Sequence, residues 1–307
     1  MTPSPLSASF AKALEAAHDA AGSQNHPAST LYVVATPIGN LADISLRALH
    51  VLAQVDVVAC EDTRHTQQLL RAYGLDRPGS QLLALHQHNE AEAAQNVLLR
   101  LAQGERVAYV SDAGTPAISD PGARLVAAVR QAGYRVLPLP GASSVTTALS
   151  ASGMPGDDGF VFRGFLSSKS TERQQAVQAL AQESRAVVLL EAPHRIEALA
   201  QALSVLGERR ITVGRELTKQ FEQIETLAAQ DLPAWLAEKP DRQRGEFVLV
   251  LHDAPVAASQ GEGLRVLQVL LAELPLKTAV KLAAEITGES KNQLYDLALS
   301  LKKNEAP

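Results

Sequence analysis

The chain has 307 residues, 46% of them hydrophobic and only 4% aromatic, which suits two compact domains of helix-covered parallel sheet built from Ala, Val and Leu. A single cysteine, Cys60, excludes an intramolecular disulfide and leaves too few thiols for a thiolate zinc site, as expected of a cytoplasmic protein. A net charge of −5 excludes global attraction to phosphate, and no run of about eighteen apolar residues marks a membrane span.

Residues 1–29 are rich in Ala, Ser and Pro and lack both a strand pattern and a basic segment followed by an apolar one. Leu6 to Ala21 has the makings of a short amphipathic helix, but the segment as a whole is expected to be a disordered extension. From Leu31 five apolar runs, LYVVAT, VDVVACE, QLLALH, RVAYVSD and RVLPLPG, alternate with helix-length stretches. They predict βα units and a mainly parallel sheet over 30–153. Gly, Pro and Asp cluster at Met154 to Gly159 and mark a boundary. FVFRGF, AVVLLEA, RITVGREL, EQIETLA and EFVLVL follow as strands, with helices near 171–183, 194–206 and 230–238, predicting a second α/β domain with a mixed sheet over 154–254. APVAASQGEG reads as a linker, and three amphipathic helices form a tail over 262–304.

All five strands of the first set end in polar or Gly/Pro-rich sequence: TPIGN, CEDTR, HQHNE, SDAGTP and PGASS. In open α/β sheets ligands bind outside the carboxyl ends of the strands, where helix N-termini and turn amides gather, so one cleft drawing on all five is expected. TPIGN is a tight turn leading to Asp43 and Ser45, candidate caps of the next helix. It lacks the GxGxxG and GKS/T signatures, which argues against a dinucleotide or nucleoside triphosphate, and alone it suits an ordinary βα turn equally well. SDAGTPAISDPG, Ser111 to Gly122, is more specific, because so many small and turn-forming residues let backbone approach a ligand closely. Within it Ser119 or Asp120 also suits capping the helix that begins near Pro121. Ser143 and Ser144 of PGASS suit a carboxylate or a ribose, and suit N-capping equally.

Glu61, Asp62 and Arg64 put two carboxylates and a guanidinium at one strand end, and His86, His88, Asn89 and Glu90 collect at the next. Such clusters position a hydroxyl, accept its proton or hold phosphate. Capping plus a satisfied ion pair accounts for any single member as well. His86 and His88 would share one face of a strand with no third ligand, so no metal is expected. In the second half, GFL with Lys169 and Arg173, EAPHR with Arg195, GRELTK with Arg215 and Lys219, and GEF all lie at strand ends, where solvated surface and phosphate contact are the competing readings.

In order along the chain, LYVVATPIGNLADISLRAL, CEDTR, LHQHNE, VSDAGTPAISDPG, PGASS, GFL with Lys169 and Arg173, EAPHR, RELTK with Glu222, and GEFVL resemble the bacterial small-subunit (16S) ribosomal RNA cytidine 2′-O-methyltransferases of the tetrapyrrole methylase superfamily. The resemblance runs from Leu31 to Ala254 and on into the tail, with Ser167 where the family usually has Pro and Leu190 where it usually has an aromatic. It implies two α/β domains clasping S-adenosylmethionine, a homodimer, and methyl transfer to a decoding-region cytidine ribose of small-subunit rRNA; the acidic balance favours the assembled 30S subunit over naked rRNA as the acceptor. It further implies that Pro37 and Gly39 line the cofactor cleft, and that Ser111, Asp112, Ala113, Gly114, Thr115, Pro116 and Ile118 cradle the methionine and ribose parts. Ser143 and Ser144 would complete that wall, with Leu190, Glu191 and Arg215 to Leu217 closing over the adenine side.

The expected base is Glu61 or Asp62, with Arg64 fixing it or gripping phosphate, and with His86 and His88 as alternatives. The expected RNA contacts are His86, His88, Asn89, Lys169, Arg173, Arg195, Arg215 and Lys219. The tail resembles a helix-turn-helix, yet six Lys/Arg meet six Asp/Glu from Gly261 to Pro307, so RNA docking competes with a structural role. Methylation of a tetrapyrrole, and ribosome assembly without turnover, are the rival readings.

Overall fold

The computed structural model describes residues 5–86, 89–118, 122–154, 159–253, 262–288 and 290–304. The chain packs as two units. The first comprises Met1–Gly153 with Val213–Glu225 and Arg244–Leu249; the second comprises Met154–Thr212, Thr226–Gln243 and Val250–Pro307.

In the first unit the apolar runs become β1 (Thr30–Val34), β2 (Val57–Cys60), β3 (Leu82–Ala84), β4 (Arg106–Val110) and β5 (Arg135–Leu139). They pair in the order β3-β2-β4-β1-β5, every pairing parallel. The helices are α1 (Pro5–Ala21), α2 (Leu46–Gln54), α3 (Thr63–Ala72), α4 (Glu90–Ala102), α5 (Ala123–Gln131) and α6 (Ser144–Ala151). Leu31, Val33, Val107 and Tyr109 pack with α4 and α5 on one face of the sheet, while Tyr32, Val34, Ala108 and Val110 pack with α2 and α3 on the other. A strand covered on both faces has no use for polar alternation, hence the continuous apolar runs. Each such fully buried Val or Leu contributes about 1.5–3 kcal/mol relative to exposure.

Because β1 leads into a helix on one face and β4 into a helix on the other, the winding reverses between these two neighbouring strands. At such a switch point open α/β sheets bind ligands in the crevice outside the carboxyl ends of the strands, here those of β1 and β4.

The expectation of a disordered extension over residues 1–29 is corrected: Pro5–Ala21 is helix α1. Phe10, Ala13, Leu14 and Ala17 follow the i, i+3, i+4, i+7 spacing and pack on Leu49 of α2 and on Tyr73, whose ring meets Phe10 edge-on at 5.0 Å. That stripe in an alanine-rich segment supplies both the propensity and the apolar face that a disordered tail would lack.

The second, mixed sheet has the order β6-β7-β10-β8-β9. Its strands are β6 (Phe160–Gly164), β7 (Ala186–Glu191), β8 (Arg210–Arg215), β9 (Gln223–Ala228) and β10 (Phe247–Leu251). The helices beside it are α7 (Ser170–Ala181), α8 (Ile196–Leu203) and α9 (Leu232–Glu238). Beyond it α10 (Glu262–Glu273), α11 (Leu276–Thr287) and α12 (Lys291–Asn304) bury a core of their own around Leu267, Val280, Ala283 and Leu294. Among the described residues no helix is long and apolar enough to cross a membrane.

Candidate active site

Three loops meet at the crevice. Thr36 and Gly114 form an isolated antiparallel bridge, each amide donating to the other's carbonyl at 2.9 and 3.0 Å. The Thr36 hydroxyl donates to the Ser111 carbonyl (3.2 Å), and the Thr115 hydroxyl to the Ala142 carbonyl (3.0 Å), tying the turns after β1, β4 and β5 together. Gly114 has φ +84°, and a side chain there would press on Ile38 at 3.3 Å; a Cβ on Gly141 would lie 2.9 Å from that of Ala35. Asp112, Ala113 and Ile118 are exposed while Ser111, Gly114 and Pro116 are buried, so the loop alternates between anchoring and presenting residues.

Local sequence explains each turn. Asn40 caps a short 3-10 turn at Leu41–Asp43, and Ser45, not Asp43, caps α2 by accepting from the Ala48 amide. Ser143 occupies the N-cap position of α6, but its side chain makes no capping hydrogen bond. Ser119 and Asp120 lie outside the described residues.

Asp62 caps α3, accepting from the amides of Arg64 (2.8 Å) and His65 (3.4 Å), while the Arg64 guanidinium pairs with it at 3.2 Å. That guanidinium and then the amides hold the Asp62 carboxyl below the ordinary carboxylate range. Glu61 stands half-buried just past the end of β2. The Asp62 amide donates to Asp112 Oδ1 (3.3 Å), and His65 Nε2 lies 3.1 Å from the Asp112 carbonyl oxygen, so the first turn of α3 grips the SDAGTP loop from two sides. His65 was absent from the sequence-based candidates; its place three residues after the cap, on the first turn of α3, is the signal that marks it.

At the next strand end, Asn89 accepts from the His86 amide (2.8 Å) and donates to the Ala84 carbonyl (3.0 Å), while His88 lies outside the described residues. Glu90 is buried and turned away from solvent: its Oε1 accepts from the amides of Gly122 (2.9 Å) and Arg124 (3.2 Å) at the start of α5. It therefore fixes the exit of the loop that began at Ser111.

The turn after β8 belongs to the same unit. Arg215 is buried, donating to the carbonyls of Arg244 (2.6 Å) and Phe221 (3.2 Å) and to Gln223 (3.1 Å). Lys219 Nζ joins the carboxylates of Glu216 (2.9 Å) and Glu246 (3.0 Å). Leu217, Thr218 and Lys219 cover Gly39 so closely that a Cβ there would lie 2.4 Å from Lys219 Cγ.

In the second unit, Leu190 is half-buried and Glu191 buried at the end of β7. Glu191 Oε1 accepts from the Ala192 amide (2.9 Å) and pairs with Arg195 at 3.0 Å, and Arg195 also donates to the Leu166 carbonyl. Lys169 pairs with Glu172 (2.9 Å), which also accepts from the Ser167 hydroxyl (2.7 Å), and Arg173 donates to the Ser168 carbonyl (3.2 Å). Ser167 thus stands in a polar cluster. Among the described residues no three His, Cys, Asp or Glu side chains converge as a metal ion requires.

The crevice presents close-approach glycine backbone, an exposed carboxylate at Asp112 and hydroxyls at Ser143 and Ser144. Carboxylate and carbonyl oxygens suit an ammonium, while amides and hydroxyls suit a carboxylate and a ribose. The donor set therefore fits a nucleoside that carries a free amino acid, such as S-adenosylmethionine.

Fold and crevice define an α/β methylase class, and residues 30–233 match the family described as Tetrapyrrole (Corrin/Porphyrin) Methylases. Residues 257–302 match the RsmI C-terminal HTH domain. A uroporphyrin-III C-methyltransferase from Thermus thermophilus, solved with S-adenyl homocysteine, shares the fold at TM-score 0.50 and 17% identity over 73% of this chain and 97% of its own. A ribosomal RNA small subunit methyltransferase I from Pseudomonas aeruginosa is 50% identical over 278 residues, 89% of this chain and 97% of the relative. One from Escherichia coli O157:H7 is 48% identical over 273 residues, 88% and 94% respectively. The chain belongs to this family, the ribosomal RNA small subunit methyltransferases I.

Proposed function

We propose that the chain transfers the methyl group of S-adenosylmethionine to the ribose 2′-hydroxyl of a cytidine in the decoding region of small-subunit rRNA, acting on the 30S subunit, in the cytoplasm and as a homodimer. The observation that carries the reading is the Thr36–Gly114 bridge beyond the carboxyl ends of β1 and β4, flanked by exposed Asp112, Ala113 and Ile118, in a chain half identical to relatives named for that rRNA.

S-adenosylmethionine, when bound, supplies a methyl group on a sulfonium that leaves readily as a thioether. The chain's task is alignment. Pro37, Gly39, Ser111 to Pro116, Ile118, Ser143 and Ser144 form the cofactor wall. Holding acceptor and methyl at near-attack distance is worth up to about 7–11 kcal/mol of the barrier. Glu61 or Asp62 is the candidate for the base that removes the hydroxyl proton, with Arg64, which pairs with Asp62 at 3.2 Å, fixing it. Arg64, with its side chain 88% exposed, is suited to a phosphate, and His86, His88, Asn89, Lys169 and Arg173 are the further RNA contacts. Arg195 and Arg215, whose guanidiniums are bonded to carbonyls, hold loops instead.

Purified protein incubated with tritiated S-adenosylmethionine and 30S subunits from a strain lacking the gene, followed by nuclease digestion and nucleoside analysis, tests the proposal. Label in 2′-O-methylcytidine is expected, and stronger with 30S subunits than with naked rRNA. Label in a corrin precursor and none in RNA would replace the acceptor. No label anywhere, with cofactor bound, would reduce the chain to a binding factor.

A further inference from the structure

The turn that follows β8 is held in a conformation its residues disfavour. Glu216 has φ +50° and Thr218 φ +66°, a left-handed region that L side chains enter rarely and keep only where the surroundings enforce it. The enforcement is visible. Glu216 donates its amide to the Glu246 carbonyl (3.0 Å), and its Oε1 accepts from the Glu246 amide (2.9 Å) and from Lys219 Nζ (2.9 Å). Lys219 Nζ also reaches Glu246 Oε2 at 3.0 Å, and the Thr218 amide donates to Glu222 Oε2 at 2.6 Å. Gly245 makes room for this: a Cβ on it would lie 2.4 Å from Glu216 Cγ.

The opposite side of the turn rests on Gly39. A Cβ there would meet Lys219 Cγ at 2.4 Å, Thr218 Oγ1 at 2.9 Å and the Leu217 carbonyl at 3.1 Å. Gly39 does not have a positive φ, so its lack of a side chain answers to space, not to backbone conformation. A strained turn, tethered by one ammonium across two carboxylates, thus bears directly on the TPIGN turn.

We infer that Lys219 is a positioning residue of the methyl-donor site: by tethering Glu216 to Glu246 it seats the strained turn on Gly39 and sets the wall that Pro37 and Gly39 present, and it does not contact RNA. The inference rests on the proposed function, since it assigns Pro37 and Gly39 to that site.

Calorimetric titration of S-adenosylmethionine into the full-length wild type, Lys219→Met, Lys219→Arg and Glu246→Gln, together with KM for 30S subunits over a range of salt, tests it. Lys219→Met is expected to weaken cofactor binding about tenfold, as a small misplacement of a positioning group does, while leaving KM for 30S subunits and its salt dependence unchanged. Lys219→Arg, able to bridge both carboxylates, restores affinity to within about threefold. Glu246→Gln, at a side chain 74% exposed and therefore tolerant of change, weakens binding about threefold and keeps the test valid should Lys219→Met fold poorly. Wild-type affinity in Glu246→Gln or Lys219→Met overturns the inference. So does a raised KM for 30S subunits with a salt slope reduced by about one, the signature of a lost phosphate contact. A wild type that binds no S-adenosylmethionine would instead overturn the proposed function itself.

Discussion

Gly122 carries φ +118°, and a Cβ on it would lie 2.2 Å from the ring of Tyr109, a fully buried side chain of β4. Gly104 and Gly133 have φ +87° and +81° but open space around them. The left-handed backbone alone should cost Gly104→Ala and Gly133→Ala about 1–2 kcal/mol each. Gly122→Ala adds overpacking of about 1–3 kcal/mol and should lose about 2–5 kcal/mol in all, read as a lower urea midpoint with an unchanged slope. The arginines divide in the same way. Arg215→Ala strands buried carbonyls and should cost about 2–3 kcal/mol of stability. Arg64→Ala should move stability by less than about 0.5 kcal/mol, yet lower the salt dependence of 30S binding by about one charge. In sequence the two look alike, each a cation at a strand end. What separates them is the carbonyls of Arg244 and Phe221, which only the folded chain delivers to Arg215.

Helix α4 does part of its work for another helix. Its first-turn carboxylate, Glu90, caps α5 by accepting from Gly122 and Arg124, 32 and 34 positions away. Glu90→Ala should destabilise the fold by about 1–3 kcal/mol through unsatisfied amides and raise the KM for S-adenosylmethionine, since the loop from Ser111 loses its far anchor. Steady-state kinetics at saturating 30S subunits would show it; an unchanged KM would mean that the loop holds without this anchor. The strands themselves were legible, because burial on both faces writes itself as unbroken apolar runs such as LYVVAT and RVAYVSD. Strand order was not, since parallel pairing is decided by partners distant in the chain. Nor was the seat of Lys219 on Gly39, which joins segments 180 positions apart (219 − 39). Helix α1 was half legible: its stripe is present in sequence, but the surface of Leu49 and Tyr73 that makes burial worthwhile is not.

At the scale of the whole molecule, a buried histidine and a half-buried one contribute to the response to acid. His50 lies with its ring 4.9 Å from His26 and 5.7 Å from His18, and burial, followed by those two neighbours, holds its pKa below the free value of 6.5. His252 is lowered too, first by burial and then by Arg210. Both groups bind a proton less readily folded than unfolded, so the unfolded chain takes up more protons as pH falls past 6.5. Their stabilisation is full above that pH and is lost as pH falls through the window beneath it. The urea midpoint should therefore drop between pH 7.5 and pH 5.5, and His50→Gln should flatten the drop. Glu216 behaves similarly in a lower range: burial opposes its ionisation, but the Glu246 amide and Lys219 outweigh it, so its contribution fades only below pH 4.5. Cys60 is insulated at the other extreme, its thiol pushed up by burial to about 11, so thiol reagents at neutral pH should react with it only after unfolding.

The first unit is assembled from three separate stretches of chain, the last ending at Leu249. During synthesis all five strands of its sheet have been made once Leu139 has been added, well before Glu216, Lys219 and Glu246 exist to seat the turn on Gly39. A growing polypeptide would therefore carry all five strands of this sheet while the turn at Gly39 still lacks the residues that cover it, and the last of the tethering groups, Glu246, arrives only just before β10.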